Sequence, residues 1–291
     1  MQFSEKFWGQ CEANDTNALQ GNGISLVRAA IVALRFVKYR ALLRNIFGEM
    51  NINISEIDHK RFGIVTAKAD DFQSVEDVHR SFAYCGDNRV TLFIARVDTG
   101  KLDVVHAMES AGGILCDTLI HYELRIRKNE RVQINDVEFI VRQMESADRT
   151  AVLATAREAF SGYFGHYHSD SRLNKADCDE VYVSWCQSAI DNIGSADDAL
   201  VVERNAEICG FLILRRHEKN GLELVLSGIK KSYTGQGVYR RLIQAGIRYA
   251  VDRQMQRVFT STQISNLATQ RTWILQGFMP IKSVHTFHVW W

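Results

Sequence analysis

The stretch KKSYTGQGVYRRL, residues 230–242, decides how the second half of this chain is interpreted. Gly235 and Gly237 stand at its centre, and the helical pattern that begins at Val238 has one apolar and one basic face. A helix that starts at such a turn presents unpaired backbone N–H groups, which attract phosphate together with the helix dipole. The stretch therefore predicts an anion-binding turn. A tight structural turn beside solvated lysines explains the two glycines equally well.

The elements on either side of this turn follow a definite order. From residue 137 the hydrophobic patterns predict β-α-α-β-β-β-α-β-α-β, and the glycine turn follows the fourth strand. Residues 163–177 are predicted to be a loop between the two consecutive helices. Residues 51–126 alternate predicted strands and helices, and the polar stretch 127–136 indicates a linker. We therefore expect a helical extension over residues 1–50, a smaller α/β domain over 51–130 and a second domain over 137–291.

The composition limits the classes of function. The 291 residues carry a formal net charge of +1 and no nucleic-acid-binding signature, so we expect no nucleic-acid partner. The apolar run at residues 24–47 contains five basic residues, which predicts a helix packed on protein rather than a membrane span. Contact with a membrane surface is the minority alternative. The six cysteines form no C-x-x-C pair, and the chain begins without a signal-peptide pattern, so we expect a cytoplasmic protein.

The order of elements and two motifs resemble the GNAT superfamily of acyltransferases. The family's turn reads Arg or Gln, any, any, Gly, any, Gly or Ala, where this chain has TGQGVY at residues 234–239. The family's next helix opens with an asparagine and closes with Gly-Phe, which here are Asn266 and Gly277-Phe278. The resemblance covers about residues 137–291. It implies an α/β fold with a mixed, mostly antiparallel central sheet flanked by helices.

The resemblance also implies which residues bind the acyl donor, acetyl-CoA. The turn's backbone would hold the pyrophosphate, the strand that ends at Ile229 would pair with the pantetheine arm, and Asn266 would touch the cofactor. An N–H near Ile229 would point at the thioester oxygen. Backbone groups suffice for phosphate, so the short Thr234 is tolerable, and binding survives if the bulky Tyr239 turns outward. The expected cofactor-binding residues are Ile229, Thr234, Gly235, Gln236, Gly237, Val238, Tyr239 and Asn266.

A catalytic tyrosine that the resemblance implies is missing. Its position in the helix after Asn266 is occupied by Trp273. An indole N–H donates a hydrogen bond but delivers no proton at neutral pH. Trp273 is therefore expected to steady the departing sulfur, directly or through a water, with Tyr239 or Tyr233 as the alternative acid. The plain alternative is that Trp273 only packs its helix.

A narrower resemblance is to acyltransferases of the TDP-fucosamine acetyltransferase type, which modify nucleotide-linked amino sugars. It rests on FGHYHSDSRL (164–173), on STQISNLATQRTWILQGF (261–278), on the closing HTFHVWW (285–291) and on EIDHKRFGIV (56–65). The loop would meet the sugar and its diphosphate through four residues: His166, Tyr167, His168 and Arg172. A solvated loop is the close alternative. A metal site at His166, His168 and Asp170 is not expected, because three ligands from one loop make a poor cage.

Together these features predict an enzyme that moves acetyl from acetyl-CoA to the amine of a nucleotide-linked deoxyamino sugar, a reaction of lipopolysaccharide biosynthesis. A GNAT enzyme for an amino acid, a polyamine or a protein N-terminus is the alternative, as is a CoA-binding relative without catalysis. The expected partner is a small molecule, and a homodimer is left open. His285 and His288 face opposite sides of the last strand, so at most one reaches the site. Glu223 is a further candidate base, acting through a water.

Overall fold

The structure is a computed structural model that describes residues 50–127, 138–195, 197–217 and 220–291. The predicted extension over residues 1–50 and the predicted linker over 127–136 lie almost entirely outside these ranges. Within the described ranges, every helix is too short or too polar to cross a membrane.

The first described part of the chain alternates strands and helices, as its patterns predict. Its elements are β1 (Asn51–Ile54), α1 (Glu56–Phe62), β2 (Thr66–Asp70), α2 (Val75–Asp87), β3 (Leu92–Asp98), α3 (Leu102–Ser110) and β4 (Ile114–Arg125). The sequence patterns predict strands over residues 51–57 and 62–69, and helix α1 lies between them and replaces the end of the first and the start of the second. Acidic residues in its first turn and a left-handed Gly63 after its last turn account for a short helix at this place.

The second part follows the predicted order with one added helical turn. Its elements are β5 (Ile140–Gln143), α4 (Arg149–Phe160), α5 (His166–Ser169), α6 (Lys175–Asp191), β6 (Asp197–Arg204), β7 (Glu207–His217), β8 (Gly221–Ile229), α7 (Val238–Asp252), β9 (Arg257–Gln263), α8 (Leu267–Leu275) and β10 (Met279–Trp290). The addition is α5, a single turn inside the predicted loop. Short 3₁₀ turns precede α4 and the glycine turn.

All ten described strands belong to one sheet, in the order β1-β2-β3-β10-β4-β9-β8-β7-β6-β5. The β2–β3 and β8–β9 pairs are parallel and the other pairs are antiparallel. The predicted mixed, mostly antiparallel sheet flanked by helices is therefore confirmed. Strand β4 lies between β9 and β10, so strands from both predicted domains alternate in the sheet. The division into domains at residues 130–137 stays a prediction.

Hydrophobic cores form on both faces of this sheet. In β7, Leu212 and Leu214 join the core beneath α7 and α8, whereas Phe211 and Ile213 join the core beneath α4 and α6. Alternate residues of a strand point to opposite faces, so a strand buried on both sides reads as a continuous apolar run. A third core packs α2 and α3 on β2, β3 and β10. The cores hold the strand ends that surround the site.

Candidate active site

A cavity of about 720 Å³ opens at the centre of the sheet. Strands β3, β4, β8 and β9, helices α4 to α8 and the glycine turn contribute to its wall. The predicted site residues on its lining are His166, Ile229, Thr234, Gly235, Gly237, Val238, Tyr239, Asn266 and Trp273. The cavity therefore brings together residues that the sequence spreads over more than 100 positions.

The cavity exists because β8 and β9 stop pairing. They pair in parallel only between residues 221–223 and 257–259. Beyond that point β8 continues to pair with β7, and a bulge at Val225 shifts the register. The edge of residues 224–229 that faces β9 has no strand partner in the described sheet. An unpaired strand edge offers N–H and C=O groups to an extended ligand.

The N–H group of Ile229 points toward this open edge. The N–H of the next residue, Lys230, donates to the Cys209 carbonyl oxygen in β7 at 2.9 Å. Successive residues of a strand direct their N–H groups to opposite edges, so the Ile229 N–H is directed away from β7. Ile229 also lines the cavity. This direction suits a donor to a bound thioester oxygen, and that role stays a prediction.

The turn that begins α7 has backbone donors without acceptors. Gln236 N–H donates to the Tyr233 carbonyl oxygen at 3.4 Å. Across the described ranges, no acceptor is present for the N–H groups of Gly235, Gly237, Val238, Tyr239 and Arg240. Unpaired donors in a helix's first turn bind anions through hydrogen bonds and the helix dipole. The arrangement is that of an anion site.

A side chain at Gly235 and a side chain at Gly237 would meet different surroundings. Both adopt the left-handed region, with φ of +82° at Gly235 and +77° at Gly237. A Cβ at Gly235 would meet no heavy atom within 4 Å, so the bare backbone there borders open space. A Cβ at Gly237 would lie 2.7 Å from Arg241 Nη1. The side chain of Gln236 bonds to the Ser232 carbonyl oxygen at 2.9 Å and does not line the cavity.

Tyr239 and Trp273 meet at the inner end of the turn. Burial raises the pKa of the Tyr239 hydroxyl to about 12, although the nearby polar groups of Ser227, Thr269 and Trp273 partly offset this. Trp273 is 3% exposed and packs edge-on against Tyr122. Its Nε1 is buried without a well-formed hydrogen bond to any described residue. An unpartnered buried donor on a cavity wall indicates that a ligand atom accepts from it.

Asn266 serves first as a helix cap. Its Oδ1 accepts from the Thr269 N–H at 3.4 Å, and its Nδ2 donates to Thr262 Oγ1 at 3.1 Å. It also lines the cavity, where it stands at the start of α8. Contact with the cofactor stays a prediction.

The candidate base Glu223 bonds to His217 at 2.9 Å and lies outside the cavity wall.

Two charged residues from the N-terminal half face the cavity, and the sequence analysis did not single them out. Arg96 in β3 and Asp117 in β4 both lie opposite Thr286 in β10, so they share one face of the sheet. Their Cα atoms are two strand spacings apart, about 10 Å. Arg96 has no hydrogen bond or ion pair with any described residue. The sequence feature that could have indicated Arg96 is its place as an arginine inside the otherwise apolar strand VTLFIARVD (90–98).

Asp117 keeps one oxygen unpaired. Its Oδ1 accepts from the Thr118 N–H at 2.6 Å, and its buried Oδ2 has no partner among the described residues. Burial raises the pKa of this carboxyl, which the nearby amide of Gln263 partly offsets. Asp117 is thus a carboxylate that an ammonium group would stabilise.

Of the four predicted acceptor residues, His166 lines the cavity and the other three do not. Tyr167 is fully buried and donates to Asp58 Oδ1 at 3.1 Å. His168 Nε2 lies 3.0 Å from Asp179 Oδ1. Arg172 donates to both oxygens of Asp170 at 2.9 and 3.1 Å and lies over the Trp290 ring. The polar atoms of these three are thus bonded within the protein.

Comparison with known proteins identifies the fold. Residues 154–278 match the model of the Acetyltransferase (GNAT) family. A GCN5-related N-acetyltransferase from Sphaerobacter thermophilus has a TM-score of 0.60 at 12% identity, covering 82% of this chain and 76% of that chain. A tandem GNAT protein from the clavulanic acid biosynthesis pathway has a TM-score of 0.55 at 13% identity, covering 77% and 75%. A GCN5-related N-acetyltransferase from Kribbella flavida has a TM-score of 0.51 at 11% identity, covering 77% of this chain and 80% of that chain.

These identities are low, so the structural similarity establishes the fold alone. No curated protein matches the chain in sequence. The predicted GNAT fold is confirmed, and residues 154–278 match the sequence model of that family. Enzymes of this family use acetyl-CoA. The nucleotide-amino-sugar type and the individual site residues stay predictions.

The residues at the cavity fit coenzyme A. The unpaired N–H groups of the turn suit a diphosphate, and the open space at Gly235 lets it approach the backbone. The free edge of β8 suits the two amide groups of a pantetheine arm. The unpartnered Trp273 Nε1 lies where the cavity continues inward from the turn. Each of these features offers hydrogen-bonding groups that coenzyme A has the acceptors and donors to pair with.

Proposed function

We propose that this chain transfers the acetyl group of acetyl-CoA to the primary amine of a small acceptor that carries a negative charge. A nucleotide-linked deoxyamino sugar is the acceptor that the sequence resemblance favours. The observation that carries the proposal is the set of N–H groups at Gly235 and residues 237–240 that have no acceptor among the described residues, beside the open edge of β8 and the cavity.

The donor side supplies binding and polarisation. Acetyl-CoA contributes an activated acyl group as a thioester. The turn at residues 235–240 binds its diphosphate, and the Ile229 N–H donates to the acyl oxygen, where negative charge develops during attack. Trp273 Nε1 donates to the sulfur as it leaves. Thiols ionise with a pKa of about 8.5, so a thiolate is a tolerable leaving group without a strong acid.

The acceptor side supplies charge recognition. Arg96 presents a guanidinium to the cavity and has no hydrogen bond or ion pair with another residue of the described ranges. Guanidinium binds carboxylate and phosphate through paired N–H groups, so an anionic part of the acceptor would lie here. The Asp117 carboxylate, on the same sheet face, would attract the ammonium form of the amine before it loses its proton.

A second candidate acceptor is an amino acid or a peptide N-terminus. The observation that favours it is the placement of a partnerless cation and a carboxylate oxygen without a partner on one face, which matches a zwitterion. A nucleotide-linked sugar instead uses Arg96 for its diphosphate. The two acceptors differ in the size of the anion and in its distance from the amine.

The test is thiol release from acetyl-CoA by the full chain. The acceptor panel contains nucleotide-linked amino sugars, amino acids, short peptides and polyamines. We expect release with one anionic class and product mass increased by one acetyl group. Release with polyamines alone would contradict an anionic acceptor. Binding of acetyl-CoA without turnover across the panel would contradict catalysis and favour a CoA-binding protein.

A further inference from the structure

We propose that His166 Nε2 is the base that takes the proton from the acceptor amine, and that His288 and Asp170 form the relay behind it. This inference rests on the proposed function, because it assigns a residue role within that reaction. His166 would be a catalytic residue. His288 and Asp170 act through it and are positioning residues.

The three side chains form a buried hydrogen-bonded chain that ends at the cavity. His166 Nδ1 lies 2.9 Å from His288 Nε2, and His288 Nδ1 lies 2.9 Å from Asp170 Oδ2. The residues are 4%, 0% and 4% exposed. His166 lines the cavity, and its Nε2 has no hydrogen-bond partner among the described residues. These two hydrogen bonds connect the cavity, where the acceptor would bind, with the buried Asp170 carboxylate.

Asp170 is held as an anion. Burial alone would raise its pKa, but hydrogen bonds from His288, Arg172 and Trp290 outweigh burial and keep the pKa well below its usual range. Trp290 Nε1 donates to Oδ2 at 2.7 Å, and Arg172 contacts both oxygens. A carboxylate accepts hydrogen bonds and donates none. The proton between Asp170 and His288 therefore belongs to His288 Nδ1.

The tautomers of the neutral relay follow from this. A neutral imidazole carries one N–H, so His288 with hydrogen on Nδ1 accepts at Nε2. His166 must then donate from Nδ1, which leaves a lone pair on its Nε2. Burial lowers the pKa of His166 well below its ordinary value, and the positive charges of Arg96 and Lys68 act in the same direction. His166 is thus neutral at pH 7, with its lone pair available to the acceptor.

The relay also determines where the charge resides after proton transfer. One N–H bond of the acceptor's ammonium form breaks, its electron pair stays on the now neutral nitrogen for attack on the acyl carbon, and the proton forms a bond to His166 Nε2. The proton on His166 Nδ1 moves to His288 Nε2. The result is an imidazolium at His288 beside the Asp170 carboxylate, with His166 neutral again. An ion pair in the interior is more favourable than an isolated buried imidazolium.

The surroundings of His166 and the relay combine basic, acidic and neutral groups. The titratable and charged groups near His166 and the relay are Lys68, Arg96, Cys116, Asp117, Tyr163, His168, Arg172 and Tyr182. Arg96 lowers the pKa of His166, so an acceptor anion bound at Arg96 would relieve that effect. The charge that we propose to bind the acceptor would thereby make the base stronger once the acceptor is in place.

Cys116 lies beside the relay, and its Sγ, an Asp170 oxygen and a His288 nitrogen are within 4.8 Å of one another. A metal ion there would need lone pairs that Asp170 already gives to Arg172, Trp290 and His288. Burial raises the pKa of the Cys116 thiol to about 12, so it is not a ready thiolate ligand. We therefore assign a hydrogen-bonded relay to these residues.

The test compares two carboxylates that each bond to a histidine: Asp170 bonds to His288 of β10, and Asp179 bonds to His168 of the loop. The variants are His166→Asn, Asp170→Asn and, as the matched control, Asp179→Asn, whose partner His168 faces away from the cavity. We measure kcat against pH with the best acceptor. His166→Asn should lose about 10²–10⁴-fold, the usual contribution of a general base. Asp170→Asn should lose less and shift the acid limb to lower pH, because removing the anion lowers the pKa of the base.

Asp179→Asn should keep the wild-type rate and pH profile. An Asp170→Asn profile equal to that of Asp179→Asn would overturn the relay. A second readout needs no acceptor: ¹⁵N-histidine NMR of the wild-type chain at pH 7 reports the tautomers. Hydrogen on Nδ1 of both His166 and His288 supports the relay, and hydrogen on His166 Nε2 contradicts it. If no amine is acetylated, the proposed function fails while the NMR still decides the relay.

Discussion

The turn at residues 234–240 and the loop at 163–173 border the same cavity and contrast in their chemistry. In the turn, backbone donors of α7's first turn have no acceptor in the described ranges. In the loop, Tyr167, His168 and Arg172 bond to acids of the protein itself. The turn has hydrogen-bonding capacity left for a ligand, whereas most of the loop has used its capacity in folding.

This contrast shows that the polar residues to expect at a ligand are those without a hydrogen-bond partner in the protein. Buried polar groups are nearly always paired, so the informative ones are those whose partners are missing. At the acceptor end these are Arg96, Asp117 Oδ2 and His166 Nε2, and they come from three separate elements. Residue type alone does not separate them from the paired histidine and arginine of the loop.

The largest effect that we expect is a loss of folding stability when Asp58, the hydrogen-bond partner of Tyr167, is replaced. Asp58 is fully buried and bonds to Ser55, Arg61, Lys68 and Tyr167. Asp58→Ala leaves Lys68 without its counter-charge, so the free energy of unfolding should fall by ~3–5 kcal/mol. Tyr167→Phe, which removes one hydrogen bond, should cost only ~1–3 kcal/mol. Urea unfolding at pH 7 measures both. Equal losses would mean that the loop is not anchored as described.

The next effect concerns acceptor binding. Arg96→Ala removes a guanidinium that has no internal partner, so the fold should persist while the acceptor KM rises about 10- to 150-fold, the usual range for a hydrogen bond to a charged group. The affinity for acetyl-CoA should stay within twofold of wild type, roughly 0.4 kcal/mol. Steady-state kinetics with the best acceptor measures the first and calorimetry the second. An unchanged KM would place the acceptor's anion elsewhere.

The smallest effect concerns the leaving group. Trp273→Phe removes the unpartnered indole N–H, so kcat should fall about 2- to 10-fold, equivalent to one ordinary hydrogen bond. Trp273→Tyr restores a donor that is also an acid and should keep or raise the rate. Single-turnover kinetics separates this step from product release. A wild-type rate in Trp273→Phe beside an inactive Tyr239→Phe would assign the acid role to Tyr239.

The same contrast explains how much could be predicted from the sequence. The turn and its helix are contiguous, and local glycine spacing and amphipathic period were sufficient to predict them. The loop's partners are distant: His166 meets His288 across 122 positions, and Tyr167 meets Asp58 across 109. Periodicity carries no information about such pairs. The sequence therefore indicated polar residues in the loop and could not show which ones the fold had already paired.

The placement of β4 was likewise beyond local patterns. Its residues predict a strand, yet its neighbours β9 and β10 lie more than 130 residues further along the chain. Asp117 reaches the cavity only because of this insertion. Helix α1 was missed because the alternation of NINISEI continues past Ile54, where the structure ends β1. Tertiary packing decides the place of β4, whereas α1 forms through local capping signals that the strand pattern hid.

The central claim is that bare backbone at the glycine turn binds the diphosphate of coenzyme A. The direct measurement is calorimetric titration of coenzyme A into two matched variants, Gly235→Val and Gly112→Val. Both glycines have φ of +82°, and a Cβ at either would meet no heavy atom within 4 Å. The substitutions therefore carry the same backbone strain, roughly 1–2 kcal/mol. Gly235→Val should weaken binding about 10- to 150-fold, since the valine blocks hydrogen bonds to a charged group. Gly112→Val should bind like wild type. Equal affinities in the two folded variants would contradict the claim.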